Sequence, residues 1–376
     1  MIPFNKPYIT GNELNYIKAA YEEGKLSGDG KFTKICSEII EKHTNTQKAL
    51  LTHSCTAAIE MAAILLKFRE GDEFITPSYT FVSTVNPFIL RGGVPRFVDI
   101  RKDTLNIDEN LIEKEINQKT KAIVIVHYAG VSCDMDKIMK IAKTYNLPIV
   151  EDAAHAISSK YKKKPLGSLG SFGTLSFHET KNIIAGEGGA LLINDEKYIE
   201  RAEIIREKGT NRKKFLNGEV DKYSWVDIGS SFLPGELISA FLLGQLENLD
   251  SINKLRINIW KKYYNSFLEL ANKGIIKIPF IPNYCEHNGH LFYIVLRTKD
   301  LRDNFISHMK TKGISCVFHY IPLHSSDYGK KIVKNLLHLE NTNKYSERIV
   351  RLPLWIGIEK HLEYIIDEAI NFLLRA

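Results

Sequence analysis

The chain has 376 residues, of which 44% are hydrophobic and 25% are charged, and a formal net charge of +7. This composition is that of a globular protein long enough for one large domain and one smaller domain. The positive charge is diffuse, and its densest cluster, at 160–164, has no aromatic stripe beside it, so we predict no nucleic-acid partner. No apolar stretch approaches the roughly 18 residues that a membrane span requires, so we predict no membrane association.

The cysteines and the first residues indicate the compartment. Five cysteines are scattered along the chain without a CxxC pair, and an odd, unpatterned number is typical of free thiols in a reducing environment. The first segment, MIPFNKPYITGNEL, lacks the basic region and apolar run of a secretory signal. We therefore expect a soluble, cytoplasmic protein.

The first half of the chain alternates helical and strand-like patterns. Helical spacing is found at 13–24, 31–43, 57–68 and 135–145. Strand-like apolar runs are found at 48–52, 73–76, 94–99, 122–127, 148–152, 173–177 and 189–194. Strands separated by helices predict crossover connections and a mostly parallel sheet, so the predicted fold class is α/β.

The second half begins with a long helical pattern and continues as a smaller unit. Leu, Ile and Phe recur at three and four residues from Pro234 to Ala271, which predicts one long connecting helix. Strand, helix, strand and terminal helix follow at 291–297, 301–312, 315–319 and after 361. The predicted organisation is a large domain at 1–235, a connecting helix at 236–270 and a small α+β domain at 271–376.

A pair of carboxylates ends the strand predicted at 148–152. The segment LPIVEDAAHA places Glu151 and Asp152 at the carboxyl end of that strand, where open α/β sheets bind their ligands. The small alanines beside them leave room for a flat ring, and an aspartate facing a pyridinium nitrogen would keep that nitrogen protonated. An aspartate that only caps a helix is the alternative for this motif taken alone.

Lys181 lies in the loop of the segment SFGTLSFHETKNIIAGEGGA, after a predicted strand that carries Ser176 near its end. A lysine in such a Gly-rich loop can bond covalently to the aldehyde of a cofactor. Burial would lower the pKa of its amine, as this bond and later proton transfer require. Because an isolated loop lysine is usually only a surface charge, the signal comes from its combination with Asp152.

A third element, Ser54-Cys55-Thr56, lies between a predicted strand and a helix. The free N–H groups and positive dipole at a helix start favour phosphate binding, and Thr56 could add its hydroxyl. A simple helix cap would need no ligand, so this signal is weak alone. The order of phosphate loop, aromatic segment PSYTFVST, Asp152 and Lys181 makes the set specific.

Two other kinds of site are not supported by the spacing. The Gly-rich stretches at 167–173 and 186–189 lack the strand, helix and later acidic residue of a nicotinamide-binding motif. Cys285, His287 and His290 lack a second pair of metal ligands, and HETK is not the HExxH of zinc proteases. We therefore predict no metal site.

The motifs HSCTAA, PSYTFVST, VEDAAHA and SFHETKN resemble those of the DegT/DnrJ/EryC1/StrS family of sugar-nucleotide aminotransferases. Further motifs (KLSGDG, VHYAGVSCDMD, IREKGTNR, VDKYSWVDIGSS and FHYIPLH) extend the resemblance over nearly the whole chain. They are most similar to family members that form dTDP-4-amino-4,6-dideoxygalactose. The resemblance implies an aspartate-aminotransferase fold (fold type I), pyridoxal 5'-phosphate (PLP) as the cofactor, and a homodimer with shared active sites.

The resemblance also implies how individual residues hold the cofactor. Lys181 bonds to it covalently, Asp152 pairs with its pyridine nitrogen, Phe81 stacks on its ring, and His155 lies near its ring hydroxyl. Its phosphate is bound by the side chains and backbone of Cys55, Thr56 and Ser176.

Two groups of contacts implied by the resemblance lie farther from the cofactor ring. The family often supplies a phosphate-binding Asn from the partner subunit, but Leu233 occupies that place here, so we predict Ser231 or Ser230 as the substitute. Segments matching the family's substrate cleft predict sugar-nucleotide contacts for Lys25, Ser27, His319 and Tyr320. Half-buried packing at the end of a strand is the alternative for the last two.

The implied reaction is the transamination of dTDP-4-keto-6-deoxyglucose with glutamate, which gives dTDP-4-amino-4,6-dideoxygalactose. Such a product serves polysaccharide or cell-surface glycan biosynthesis, including that of lipopolysaccharide and enterobacterial common antigen. The 4-amino-4,6-dideoxyglucose epimer and a non-catalytic role are the alternatives. The presence of both Asp152 and Lys181 argues against the non-catalytic one.

Overall fold

The computed structural model describes residues 1–333 and 338–375. The α-helices of these residues are α1 (Glu13–Glu23), α2 (Lys31–Thr44), α3 (Cys55–Leu65), α4 (Asn86–Ile89), α5 (Glu109–Glu115), α6 (Met135–Thr144), α7 (Ile199–Arg206), α8 (Arg212–Leu216), α9 (Glu236–Leu246), α10 (Leu249–Asn272), α11 (Lys299–Thr311), α12 (Gly329–Ile332), α13 (Glu340–Arg348) and α14 (Glu359–Arg375). The strands are β1 (Lys48–Thr52), β2 (Glu73–Pro77), β3 (Val94–Val98), β4 (Thr120–Val126), β5 (Ile149–Asp152), β6 (Lys160–Tyr161), β7 (Lys164–Pro165), β8 (Phe172–Ser176), β9 (Gly189–Ile193), β10 (Cys285–Glu286), β11 (Phe292–Val295) and β12 (Ile349–Leu352).

The large domain is built on one twisted sheet. In the described part of the chain its seven strands follow the order β1-β9-β8-β5-β4-β2-β3. Strands β8, β5, β4, β2 and β3 pair in parallel, whereas β9 runs antiparallel to both β8 and β1. The prediction of an α/β fold with a mostly parallel sheet is therefore confirmed.

Both faces of this sheet are buried. Successive strand residues point to opposite sides, so that Leu51 and Ile123 pack with α2, α6 and α9, whereas Leu50 and Val124 pack with α3 and α7. Burial of both faces explains why the strands appear in the sequence as unbroken apolar runs. It also leaves the carboxyl ends of the parallel strands as the free edge on which loops can form a site.

The predicted connecting helix is divided in two. Helix α9 ends at Leu246 and α10 begins at Leu249, because the backbone of Asn248 leaves helical geometry (φ −107°, ψ 13°) and its side-chain amide donates to the Gly244 carbonyl at 2.9 Å. Helix α9 packs on the large sheet, whereas Ile259 and Tyr263 of α10 pack in the small-domain core. The proposed connecting segment 236–270 thus contacts both domains.

The small domain contains the antiparallel pair β11–β12, packed against α10, α11 and α14. The prediction of a strand at 315–319 is wrong. Val317 forms an isolated bridge with Arg351, while the N–H of Ser315 bonds to the carbonyl of Ile2. Because its partners are divided between two segments, this stretch forms no continuous ladder. Within the described residues, no helix is long and apolar enough to cross a bilayer.

Candidate active site

A cleft of about 640 Å³ opens at the carboxyl ends of the parallel strands and is bordered by the small domain. Most of the predicted site residues line it: Cys55, Thr56, Phe81, Asp152, His155, Ser176, Lys181, His319 and Tyr320. The topology explains part of this convergence. Asp152 ends β5 and Ser176 ends the neighbouring parallel strand β8, so both side chains reach the same edge of the sheet.

Asp152 presents a buried carboxylate to the cleft. Its Oδ2 accepts a hydrogen bond from the Thr84 hydroxyl at 2.7 Å, and its Oδ1 accepts from the Ala154 N–H at 3.1 Å. Thr84 is held in turn by Thr80 at 2.7 Å. Among the described residues no cationic side chain lies within 4 Å of this carboxylate, which is only 6% exposed. A protonated ring nitrogen would supply the missing counter-charge.

The neighbouring Glu151 has a structural role. Its carboxylate accepts hydrogen bonds from the backbone N–H groups of Gly167, Leu169 and Gly170, at 2.6–2.9 Å, and is bonded to the His127 ring at 2.9 Å. With these partners the side chain is fully buried, away from the cleft. Glu151 therefore fixes the loop before β8, and only Asp152 of the pair is available for chemistry.

The start of α3 forms the predicted anion cradle. Ser54 caps the helix by accepting from the Ala57 N–H at 3.1 Å, and the N–H groups of Cys55 and Thr56 have no partner within the helix. A Cβ added at Gly189 would lie 2.4 Å from the Cys55 nitrogen, so only glycine lets β9 approach this turn. Free N–H groups at the positive end of a helix dipole fit the phosphate of PLP.

Lys181 is partly buried beside this cradle. Burial lowers the pKa of its amine to about 8, against an opposing effect of the Cys55 and Asp152 side chains, which favour the charged form. The loop is tightly turned here, since the Lys181 N–H bonds to the His178 carbonyl at 2.9 Å. A lysine with such a pKa is neutral in an appreciable fraction of molecules near neutral pH, as covalent capture of an aldehyde requires.

His155 is a neutral hydrogen-bond donor to the cleft. Burial holds the pKa of its imidazole well below the usual value, and the ring stacks on His290 with centroids 4.2 Å apart. Its Nδ1 accepts from the Ala129 N–H at 3.4 Å, which places the proton of the neutral ring on Nε2. A donor in this position fits the ring oxygen of the cofactor.

Aromatic side chains form the outer part of the cleft. Phe81 is 58% exposed, and its ring centroid lies 6.5 Å from that of Tyr320. Tyr320 also stacks on His319, with centroids 3.9 Å apart and planes only 13° from parallel. The free face of Phe81 is thus available to stack on a flat ring.

A family model settles the class of this protein. The model described as the DegT/DnrJ/EryC1/StrS aminotransferase family matches residues 7–369. The chain belongs to this family. Its members depend on PLP, so PLP is the cofactor, and the residues at the cleft fit a phosphate, a protonated ring nitrogen and an aldehyde. The predictions of the family, of fold type I and of the cofactor are confirmed.

Individual relatives are similar to this chain over nearly their whole length. MJ1066 of Methanocaldococcus jannaschii, an uncharacterized protein, is 33% identical over 361 residues, which cover 94% of this chain and 92% of that protein. The structure is similar to that of Spr1654 from Streptococcus pneumoniae, a candidate sugar aminotransferase in its PMP form (TM-score 0.93, 26% identity, 100% of both chains). It is also similar to Helicobacter pylori PseC, an aminotransferase involved in the biosynthesis of pseudoaminic acid (TM-score 0.91, 25% identity, 100% of both chains).

Three predicted contacts of this family member lie outside the cleft of the single chain. Lys25, Ser27 and Ser231 are exposed and do not border it. The Lys25 ammonium donates to the Asp29 carbonyl at 3.1 Å, and Ser231 forms a bridge with Glu207. Their predicted roles in binding sugar nucleotide and cofactor remain predictions.

The cleft also contains residues that sequence reasoning did not single out as contributors. Phe4, His178, His290 and Arg351 line it beside the predicted residues. The sequence presents His290 only as a possible metal ligand beside Cys285 and His287, whereas in the structure it packs beneath His155. Phe4 and Arg351 belong to segments with no motif of their own, so only the tertiary structure brings them to the site.

Proposed function

We propose that this protein transfers the amino group of glutamate to dTDP-4-keto-6-deoxyglucose and forms dTDP-4-amino-4,6-dideoxygalactose. The observation that carries the proposal is the presence of the Lys181 amine and the Asp152 carboxylate in one cleft. Bound PLP supplies an electron sink that makes the Cα proton of an amino acid acidic. The aminotransferase class follows from the family, and the sugar substrate is supported by the similarity to Spr1654, which is described as a candidate sugar aminotransferase.

We assign a different role in this reaction to each of these cleft residues. With its pKa near 8, the Lys181 amine can accept the Cα proton of the donor and return it to the carbon of the product. The Asp152 carboxylate stabilises positive charge on the ring nitrogen, and His155 donates to the ring oxygen. His319, Tyr320 and Phe81 border the outer cleft, where an uncharged sugar ring would pack.

A product assay tests both the proposed substrate and the proposed stereochemistry. The holoprotein is incubated with glutamate and dTDP-4-keto-6-deoxyglucose, and the product is analysed by proton NMR. We expect an axial amine at C4, recognised by small couplings of an equatorial H4. Large couplings would identify the gluco epimer and contradict the stereochemistry, while absence of any amino sugar would contradict the substrate. We place the enzyme in the cytoplasm, in the biosynthesis of a cell-surface glycan.

We also propose a homodimer with shared active sites. The segment from α8 to Ser231 exposes large apolar side chains, with Trp225 81% and Leu216 66% accessible, beside Tyr223. Large apolar side chains exposed close together in the sequence favour association, because extended apolar patches are rare on the surface of monomers. Because Ser231 follows this surface and is itself exposed, the partner's cleft is the place where its hydroxyl could meet a phosphate.

Replacing Ser230 and Ser231 together with alanine is expected to weaken cofactor binding roughly five- to thirtyfold, because one or two hydrogen bonds from uncharged hydroxyls to the phosphate are lost. The measurement is the cofactor Kd, with molecular mass by light scattering. Ser251→Ala, at an exposed serine on α10, is the matched control and should leave the Kd unchanged. An active monomer, or a double variant with unaltered affinity, would contradict the shared site.

A further inference from the structure

His290 is a buried imidazole of the cleft that has no role in the proposed chemistry. It lines the cleft together with Lys181 and is only 5% exposed. Its ring stacks on the ring of His155, with centroids 4.2 Å apart and planes 26° from parallel. Because His155 is the proposed donor to the ring oxygen of the cofactor, a residue packed against its ring can decide where that donor points.

The ring of His155 has few other constraints. Within residues 1–333 and 338–375 its one hydrogen bond, from the Ala129 N–H to Nδ1, is 3.4 Å long and therefore weak. The rings of Tyr128 and His319 are its next aromatic neighbours, with centroids 6.0 and 6.4 Å away. The stack on His290 is thus the close aromatic contact that limits the tilt of this ring.

One amide side chain joins the backbones of the two histidines. The Nδ2 of Asn288 donates to the carbonyls of His155 and Ile157, at 2.8 and 2.9 Å. Its Oδ1 accepts from the His290 N–H at 3.1 Å. A Cβ added at Gly130 would lie 2.1 Å from this Oδ1, so the amide fills the space it occupies. Hydrogen bonds and close packing therefore fix the two histidine backbones relative to each other.

A second amide, that of Asn182, orients the His290 ring. Both of its amide hydrogens are donated elsewhere, to the Asn253 Oδ1 at 2.9 Å and to the Asn288 carbonyl at 3.0 Å. Its Oδ1 can only accept, so the Nδ1 of His290, 2.9 Å away, carries a proton. Burial, followed by the positive charges around it, lowers the pKa of His290, so the ring is neutral and its single N–H is used within the protein. His290 therefore has no proton left to donate to the cofactor.

We propose that His290 is a positioning residue of the transamination and acts through His155. Its ring is a flat support that keeps the His155 Nε2–H directed at the ring oxygen of the cofactor, and Asn182 holds that support. This inference rests on the proposed function and on the role assigned there to His155, and it specifies what keeps that donor in place. Because Asn182 directly follows Lys181, the loop that carries the lysine also sets the position of the donor.

Two substitutions separate the ring of His290 from its hydrogen bond. His290→Gln keeps a donor for Asn182 and removes the ring, whereas His290→Phe keeps a ring and removes the donor. The glutamate half-reaction is followed in a single turnover by the loss of visible absorbance of bound PLP. We expect its rate to fall about tenfold in His290→Gln and in His155→Phe, because a hydrogen bond to the ring oxygen is lost in both. His290→Phe should stay within about threefold of wild type, because the flat support remains.

The absorbance spectrum of bound PLP gives a readout that a loss of stability alone does not move. A hydrogen bond to the ring oxygen stabilises the form of the cofactor that has lost its proton, so loss of the donor raises the pH midpoint of the spectral change. A tenfold weaker interaction corresponds to a rise of about one pH unit. We expect this rise in His155→Phe and in His290→Gln, and an unchanged midpoint in His290→Phe.

A double-mutant cycle decides whether His290 acts through His155. If it does, the double variant His155→Phe/His290→Gln should be slower than His155→Phe by less than about threefold. Independent effects would multiply to about a hundredfold and would overturn the proposal. A loss in His290→Phe as large as that in His290→Gln would also overturn it, because the effect would then belong to an imidazole nitrogen and not to the ring as a support.

His287→Gln is the matched control from the same segment. The His287 ring packs edge-on against Trp260, with centroids 4.3 Å apart, and the residue does not line the cleft. We expect this variant to lower the Tm and to leave the spectrum and the half-reaction unchanged. It therefore distinguishes a disturbed segment from a displaced donor.

Circular dichroism and the Tm identify a variant that fails to fold. If His290→Gln fails, His290→Phe decides alone, with a rate near that of wild type supporting the proposal and a loss of about tenfold overturning it. The spectrum and the glutamate half-reaction are measured without any sugar. An incorrect sugar assignment therefore leaves this test intact and is distinguishable from failure of the His290 proposal.

Discussion

Replacing Lys181 with alanine is expected to abolish both turnover and the cofactor adduct that borohydride traps, while the fold persists. The amine is the group of the cleft that can bond to the aldehyde of PLP, and its lowered pKa provides the neutral form that this reaction needs. The measurements are product formation, visible absorbance and mass spectrometry after reduction. Lys310→Ala, at an exposed lysine of α11, is the matched control and should be fully active.

The pH dependence of cofactor capture provides an independent check on the same residue. A lysine whose pKa is lowered loses its proton at a lower pH than an ordinary lysine. The rate at which the apoprotein captures PLP should therefore increase with pH and level off above about 8. An ordinary lysine would give a rise continuing to about 10.4. A midpoint near that value, or a reduced adduct on another lysine, would contradict the assignment of Lys181.

The core of this site was predictable because each part lies in a local sequence pattern. Periodicity identified β5 and β8, and the order of the motifs identified Asp152 and Lys181. The parallel pairing of these two neighbouring strands then brings the Asp152 carboxylate to the edge that the Lys181 loop covers. Residues separated in the chain meet here through regular topology, which a sequence can indicate.

Arg351 and Phe4 were not predictable in the same way. Arg351 reaches the cleft only because the small domain packs against the sheet, and Phe4 because the N-terminal segment runs beneath the Arg351 guanidinium. The incorrect strand at 315–319 has a similar cause. Its apolar pattern is local, but its pairing is divided between Ile2 and Arg351, which are far away in the chain.

A buried polar network behind the lysine loop also depends on contacts that are distant in sequence. Asn182, next to Lys181, donates to Asn253 at 2.9 Å and to the Asn288 carbonyl at 3.0 Å. Its remaining oxygen is 2.9 Å from His290 Nδ1, so this nitrogen must carry the proton. The network fixes His290 beneath His155 and so links the lysine loop to the residue proposed to donate to the cofactor ring.

The second large effect is expected for Asp152→Asn, which preserves size and hydrogen bonding but removes the negative charge. The Asp152 carboxylate is buried, held by Thr84 and the Ala154 N–H, and has no cationic side chain within 4 Å in the described part of the chain. Its proposed partner in the holoenzyme is the ring nitrogen, so loss of the negative charge should slow turnover on the order of a hundredfold or more.

The matched control for this variant is Thr84→Val, which removes one hydrogen bond to the carboxylate and keeps the charge. We expect turnover to fall by less than about tenfold. A single hydrogen bond to a charged group contributes about 1.5–3 kcal/mol at most, and other donors replace part of that contribution. Asp152→Asn should also shift the midpoint of PLP capture below pH 8, since the carboxylate raises the pKa of Lys181. Near-normal turnover together with an unshifted midpoint would show that Asp152 faces neither the ring nitrogen nor the lysine.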